Sequence, residues 1–308
     1  MAQELGFFVI GVDGGGSKTV AVLADGRMRE LGRGQAGPSN YQVVGIEAAQ
    51  EAIRTAVRGA FEVAGLPPMP VRTICLGMAG VGRAEDRGWV DELARSAKLA
   101  ERVIVANDGQ LLLWAGTPEG VGVGVISGTG SIAYGRAADG REARNGGWGY
   151  IMGDEGSGYW LGRAALQAVA QAADGRGQAT SLTGRILKYW GLTQPGELVA
   201  KVYRNGTGRV EIAELAGLVF EEAQAGDATA LRIEGQAARD LAEMAMLTAS
   251  RLRLTGMIPC ALGGGVLANS TRLAERVVRE ALKVGVKFSP VKLVSEPVKG
   301  ALRLALGG

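Results

Sequence analysis

The sequence predicts an α/β protein built from two copies of one supersecondary unit, and three observations predict it. First, a glycine-rich turn, Asp13-Gly14-Gly15-Gly16-Ser17, returns as Ser127-Gly128-Thr129-Gly130-Ser131. Gly128 follows Gly14 by 114 residues, and the same offset pairs Gly16 with Gly130 and Ser17 with Ser131. Second, that offset also pairs Ala24-Asp25-Gly26-Arg27 with Ala138-Asp139-Gly140-Arg141, and Asp-Gly between strand-like runs is the strongest short-range hairpin signal. Third, apolar strand-like runs alternate with segments of helical period, the pattern of a largely parallel sheet.

In the first copy, the apolar run Phe7 to Val12 leads into the first turn, Val20 to Leu23 forms the next strand, and Met28 to Gly34 supplies a third. Ile46 to Ala64 has helical periodicity through Ile46, Ala49, Ile53, Val57, Ala60 and Phe61. Thr73 to Met78 reads as a buried strand, Asp86 to Ala97 as a helix, Arg102 to Ala106 as a strand and Gly109 to Ala115 as a short helix. The cluster Gly116-Thr117-Pro118-Glu119-Gly120 is a breaker, so a first domain is expected over 1–116 and a second over 117–295.

The second copy starts at Val121 and carries its strand at Ile132 to Tyr134. Ser157 to Ala173 and Asp227 to Leu254 read as strong helices. Between them, 175–208 mixes helical stretches with Gly and Pro breaks, as an insertion or lid does; the whole helical insertion is expected over 175–226. Met257 to Leu262 is a core strand ending in Gly263-Gly264-Gly265, followed by a helix from Ser270 to Leu282. A glycine turn between strand and helix is a further candidate for nucleotide contact. Lys292 to Val294 is a last strand, and a terminal helix over 296–308, starting at Pro297, is expected to pack back on the first domain.

Of 308 residues, 47% are hydrophobic and 21% charged, enough to build substantial cores. Glycine, at 50 residues, is about twice its usual share, so turns and close backbone approaches are frequent. The 34 basic and 31 acidic residues leave a net charge of +3, with no basic run or aromatic-interleaved patch, which argues against nucleic acid. The sequence contains no histidine, so acid–base work falls to carboxylates. Cys75 and Cys260 each lie within an apolar run and are expected to be buried thiols, in keeping with a cytoplasmic protein. No segment approaches the ~20 apolar residues of a membrane span, and the start lacks a secretion signal.

A turn free of side chains lets successive N–H groups approach phosphate oxygens and form an anion-binding concavity. Ser17, Thr19, Thr129 and Ser131 add hydroxyl donors. Two facing turns of this kind grip one polyphosphate; the alternative is that the glycines only permit tight turns. Gly11 to Thr19 is not a Walker A loop, because Ser17 stands between the second glycine and Lys18. Gly128 to Ala133 fits the loose dinucleotide pattern but leads into a strand where that motif needs a helix.

The ordered set Gly11-Val12-Asp13-Gly14-Gly15-Gly16-Ser17-Lys18-Thr19, Gly37-Pro38-Ser39-Asn40, Asn107-Asp108, Ser127 to Ser131, Gly147-Trp148-Gly149 through Gly153-Asp154-Glu155-Gly156-Ser157, and Gly263 to Gly265 resembles the N-acetylglucosamine kinase group of the BadF/BadG/BcrA/BcrD ATPase family. The likeness runs over nearly the whole chain. It implies a two-domain actin-like ATPase fold, ribonuclease H-like in each half, with duplicated β-β-β-α-β-α units and an interdomain cleft. It implies a sugar kinase that moves the γ-phosphoryl group of ATP to the 6-hydroxyl of an amino sugar, first N-acetylglucosamine, otherwise glucosamine or glucose, and a homodimer.

By the same resemblance the phosphates of ATP lie on Gly14, Gly15, Gly16, Ser17, Lys18 and Thr19 and on Gly128, Thr129 and Gly130, with the nucleoside against Gly264 and Gly265. Asp13 holds Mg²⁺ through water, a role that suits a carboxylate at a strand end beside a phosphate turn; the alternative is an Asp that caps the turn. Asp108 accepts the proton of the sugar hydroxyl, or else N-caps the helix that follows. Asn40, Gly147, Trp148, Asp154 and Asp108 contact the sugar, with Trp148 as ordinary core the alternative. Gly158, lacking a side chain, is expected to admit a bulky 2-substituent. The role of Glu155 stays open. Rival functions are an activator ATPase of 2-hydroxyacyl-CoA dehydratases, which needs cysteines placed for an iron–sulfur cluster, and a non-catalytic sugar sensor.

Overall fold

The computed structural model describes residues 6–78, 80, 88–90, 99–204 and 206–307. The backbone divides into two compact units, Met1–Gly122 with Val294–Gly308, and Val123–Leu293. Each is an α/β unit built on one five-stranded sheet.

In the first unit the strands are β1 (Phe8–Gly14), β2 (Thr19–Asp25), β3 (Glu30–Ala36), β4 (Val71–Met78) and β5 (Ala100–Asn107), in the order β3-β2-β1-β4-β5. β1 runs antiparallel to β2 and parallel to β4, and β4 is parallel to β5. The register sets Gly14 opposite Thr19, Gly14 beside Met78, and Met78 beside Asn107. The ends of β1 and β5 therefore lie on the same side of the sheet, with the end of β4 between them.

Side chains alternate across a strand, and here both faces are covered. Ile10, Val12, Ala21 and Leu23 join the core under the helix Ile46–Val63, while Val9, Val20, Val22 and Ala24 join a second core with Val298, Ala301 and Leu302 of the terminal helix Val298–Ala305. Close approach depends on bare backbone: a Cβ on Gly32 or Gly34 would run into the carbonyls of Ala60 and Ala56. The helix expected over Asp86 to Ala97 falls mostly outside the described residues; 88–90 are helical.

The second unit repeats the topology strand for strand. Its strands β6 (Gly122–Ser127), β7 (Ser131–Arg136), β8 (Glu142–Gly146), β9 (Met257–Gly263) and β10 (Lys287–Val294) lie in the order β10-β9-β6-β7-β8. β8 and the early half of β10 were not legible as strands, because Glu-Ala-Arg-Asn-Gly and the exposed part of Lys287 to Val294 lack an apolar run. The predicted helices recur as Gly158–Ala173, Ala228–Arg251 and Thr271–Lys283. The insertion is helical too: Leu182–Trp190, Glu197–Tyr203, Arg209–Glu214 and Ala216–Gln224. Asp227 ties it down, capping the long helix at Ala230 N–H and accepting from the N–H of Ser181 and the hydroxyl of Thr180. No helix among the described residues is long and apolar enough to cross a membrane.

Candidate active site

In the first unit the turn between β1 and β2 is tight. Gly15 N–H donates to Lys18 O at 2.9 Å, and Gly15 O accepts from the N–H groups of Ser39 and Asn40. Gly14 is buried, whereas Gly16, Ser17 and Lys18 are exposed. The structure thus leaves the tip of the predicted phosphate turn open to a ligand, but it assigns the Thr19 hydroxyl elsewhere. Thr19 is fully buried; its hydroxyl donates to Gly37 O at 2.7 Å and shares a hydrogen bond with the Ser39 hydroxyl at 2.8 Å. Thr19 braces the turn against the segment 37–40 and does not present its hydroxyl as a phosphate donor. Asn40 sits on that braced segment and N-caps the short helix Tyr41–Val44, its Oδ1 accepting from Gln42 N–H at 3.2 Å.

The partly buried Asp13, at the end of β1, lies in the field of Asp108 and Lys18. Burial, and next the Asp108 carboxylate, push the Asp13 carboxyl from 3.8 up to about 6, against the pull of the Lys18 ammonium. This coupling follows from topology, since the parallel strands β1, β4 and β5 end on the same side of the sheet.

Asp108 does not N-cap its helix. That position belongs to Asn107, whose Oδ1 accepts from Gln110 N–H at 2.8 Å while Gln110 Oε1 accepts from Asn107 N–H at 3.0 Å, a complete capping box. Asp108 is the first residue of the helix Asp108–Gly116, and its Oδ1 accepts from Gly109 N–H at 2.9 Å. With the cap supplied by its neighbour, the carboxylate stands on the first turn of the helix, where its field reaches Asp13.

The second unit gathers most of its predicted residues around the turn between β6 and β7. Gly128 N–H donates to Gly130 O, closing the turn at 2.9 Å. Gly264 lies at φ +88°, and a Cβ there would collide with the backbone of Ser127. The nitrogen of Gly265 is 3.7 Å from the place a Cβ on Gly128 would take. Two of the predicted nucleotide segments, far apart in sequence, are therefore neighbours, and glycine is what lets them approach. Ser131, expected to add a hydroxyl donor, is buried and donates to Glu155 O at 2.7 Å.

Gly158 is also corrected. It is buried, its N–H donates to Gly128 O at 2.8 Å, and the space a Cβ would fill is bounded by Ala213 and Gly128 carbonyls at 3.2 Å. The space beside its backbone is taken up by the contact of the helix Gly158–Ala173 with the turn and with Ala213. Gly147, at φ +69°, is anchored by its N–H to Ser131 O. Trp148 is 59% exposed, which removes the reading of it as core.

Asp154 is 3% exposed and sits at φ +62°, uncommon for a residue other than glycine. Its Oδ2 accepts from Arg209 Nη2 at 2.8 Å and its Oδ1 from Ser131 N–H at 3.4 Å. Burial pushes its carboxyl above the ordinary range, while the Ser131 N–H, the Arg209 guanidinium and the Gly149 N–H oppose that rise and Glu155 adds to it. Arg209, in the insertion and 55 residues from its partner, was not foreseen; nothing local in the sequence marks the pair.

Cys75 and Cys260 are buried and free, and burial pushes both thiols up to about 12. Such thiols are poor ligands for an iron–sulfur cluster, which binds thiolates.

The family model for the BadF/BadG/BcrA/BcrD ATPase family matches residues 10–305. An N-acetylmuramic acid/N-acetylglucosamine kinase of Clostridium acetobutylicum is 38% identical over 76% of each chain. An N-acetyl-D-glucosamine kinase of Dictyostelium discoideum is 33% identical over 99% of each, and a glucosamine kinase of Vibrio cholerae is 25% identical over 97% of this chain and 95% of its own. Among solved structures, a Chromobacterium violaceum protein proposed to be an N-acetylglucosamine kinase aligns with a TM-score of 0.76 at 29% identity, covering 98% of this chain and 99% of its own.

Proposed function

Because the chain belongs to the BadF/BadG/BcrA/BcrD ATPase family, we propose that it is an ATP-dependent kinase that phosphorylates the 6-hydroxyl of an amino sugar, N-acetylglucosamine first. The observation that carries this reading is that the carboxylates Asp13 and Asp108, at the ends of β1 and β5 on one side of the sheet, lie within each other's field near an open glycine turn. Relatives that are 38% and 33% identical over the aligned residues and bear N-acetylglucosamine kinase names support the substrate. The glucosamine kinase of Vibrio cholerae supports glucosamine as the second acceptor to test.

The proposed roles divide by unit. In the first, the N–H groups at the tip of Gly14 to Lys18 receive phosphate oxygens, and Asn40 faces the sugar. The Asp108 carboxylate takes the hydroxyl proton as the new oxygen–phosphorus bond forms and the bond to ADP breaks. Positioning and charge neutralisation supply most of the catalysis in phosphoryl transfer, so one carboxylate suffices in a sequence with no histidine. In the second, Gly128, Thr129 and Gly130 take phosphate, Gly264 and Gly265 border the nucleoside, and Gly147, Trp148 and Asp154 read the sugar.

The donor set suits Mg²⁺. Among the described residues no group of three or more carboxylates, cysteines and histidines could cage a metal, and the Asp13 carboxylate, with Asp108 in its field, matches an ion that takes one or two carboxylates and fills its shell with water and substrate phosphates. Asp13 would hold it, and when bound it supplies charge neutralisation on the phosphates. The reading extends to a cytoplasmic homodimer, which light scattering of the purified protein tests.

The deciding experiment measures Mg²⁺-dependent ADP release with N-acetylglucosamine, glucosamine, glucose or no sugar. Sugar-dependent release that Asp108→Asn abolishes is the expected result. Release that ignores the sugar would move the reading to an activator-type ATPase, and binding without turnover to a sugar sensor.

A further inference from the structure

Arg209 stands outside every motif of the sequence, yet it touches three parts of the second unit at once. It begins the helix Arg209–Glu214, its Nη2 donates to Asp154 Oδ2 at 2.8 Å, and its Cζ lies 5.1 Å from the centre of the Tyr150 ring. A Cβ built on Gly130 would meet Asp154 Oδ2 at 2.8 Å and Arg209 Nη2 at 2.9 Å, so the ion pair lies directly against the glycine turn. Asp154 itself bonds that turn at Ser131 N–H.

A carboxylate that is 3% exposed, held in a left-handed backbone conformation, is costly unless its charge is matched. The charged groups that face it are Arg209 and, unfavourably, Glu155. The turn 128–131 brings no charged group. The other carboxylates of the helix are engaged elsewhere, Glu211 with Gly208 N–H and Lys201, and Glu214 with the Tyr189 hydroxyl. Burial already raises the Asp154 carboxyl, and Arg209 is the cation that holds the rise back.

We propose that Arg209 is a positioning residue that acts through Asp154: the insertion helix delivers one guanidinium, and that guanidinium orients the Asp154 carboxylate between the second glycine turn and the loop carrying Trp148. The inference rests on the reading of Asp154 as a sugar contact for its effect on activity, but not for the ion pair itself. Removing the guanidinium leaves a buried charge unmatched, so Asp154 takes a proton at higher pH and loses its fixed direction.

Three measurements on the full-length protein test this, using Arg209→Met, Arg209→Lys and Asp154→Asn. Carboxyl-carbon NMR of ¹³C-labelled aspartates, with Asp154 assigned by its loss in Asp154→Asn, should show the Asp154 titration moving up by about one pH unit or more in Arg209→Met. In turnover assays Arg209→Met should lower kcat/KM for the sugar by roughly 10- to 100-fold, equivalent to a charged hydrogen bond. The double variant should fall within about 2-fold of Asp154→Asn alone, because residues in one pair are not additive. Arg209→Lys, which keeps the cation, should recover most of the loss. Additive losses in the double variant, an unmoved titration, or a lysine no better than methionine would each overturn the proposal. Should Arg209→Met not fold, the lysine variant and the wild-type titration against it decide. If the wild type shows no sugar-dependent turnover, the kinase reading fails, and the NMR titration still decides the role of Arg209.

Discussion

The two glycine turns occupy equivalent places in equivalent sheets, yet their charged surroundings are opposite in kind. Around the first, burial and then the Asp108 carboxylate push the Asp13 carboxyl up to about 6, against the pull of Lys18. Around the second, the single buried carboxylate of Asp154 is matched by Arg209. Topology was duplicated but electrostatics was not. A strained pair of carboxylates is a place to bind a cation and remove a proton, whereas a neutralised pair is a place to hold geometry. The proposed division of labour between the units follows that difference.

The largest expected effect is on the first turn. Asp108→Asn should lower kcat by about 10³-fold, within the range for losing a positioned base, with substrate KM values little changed; steady-state kinetics checks it. Wild-type activity at Asp108 would make the pair merely structural.

Next comes Asp13. Its folded-state carboxyl, at about 6, lies above its unfolded value near 3.8, so the folded protein binds the proton more tightly. Stability in the absence of ligand should therefore fall as pH rises from about 4 to 6 and stay reduced above that, by about 3 kcal/mol. Asp13→Asn removes the burden: its melting temperature should exceed that of the wild type at pH 7.5 and match it at pH 4. Its Mg²⁺-dependent activity should be lost, and wild-type activity should decline as pH drops through about 6. Equal melting temperatures at pH 7.5 would show that neither burial nor the Asp108 charge burdens the Asp13 carboxylate.

Gly264→Ala tests close approach in the second unit. A side chain at φ +88° against the backbone of Ser127 should destabilise by about 2 kcal/mol or more and raise KM for ATP more than for sugar. The smallest contrast lies in the echoed hairpins. Asp25 and Asp139 each accept from the N–H two residues on and pair with an arginine. Asp25 is 5% exposed, whereas the Asp139 side chain is 55% exposed. Asp25→Ala should lower the melting temperature by several degrees, and Asp139→Ala should leave it unchanged, as thermal melts of both will show.

Much was legible from the chain alone, for stated physical reasons. Apolar runs and helical periods located β1, β2, β4, β5, β7 and β9 and the long helices, since burial imposes its period on the sequence. The duplication showed because glycine turns and Asp-Gly hairpins tolerate few substitutes. β8 was hidden because it carries little apolar side chain. The roles of hydroxyls were also hidden: Thr19 and Ser131 sit beside phosphate turns in sequence, but tertiary packing gave both hydroxyls to carbonyls of Gly37 and Glu155.

The sequence by itself determined the α/β class, the repeated unit, the turns, and a set of carboxylates left to do chemistry without histidine. Those features arise from local backbone freedom and residue chemistry, which adjacent residues encode. Only the tertiary structure decided that Gly158 packs against Gly128 and Ala213, that Gly264 meets Ser127, and that Arg209 meets Asp154. Each depends on which distant segments the sheet order brings within a few ångströms, and no spacing along the chain carries that distance.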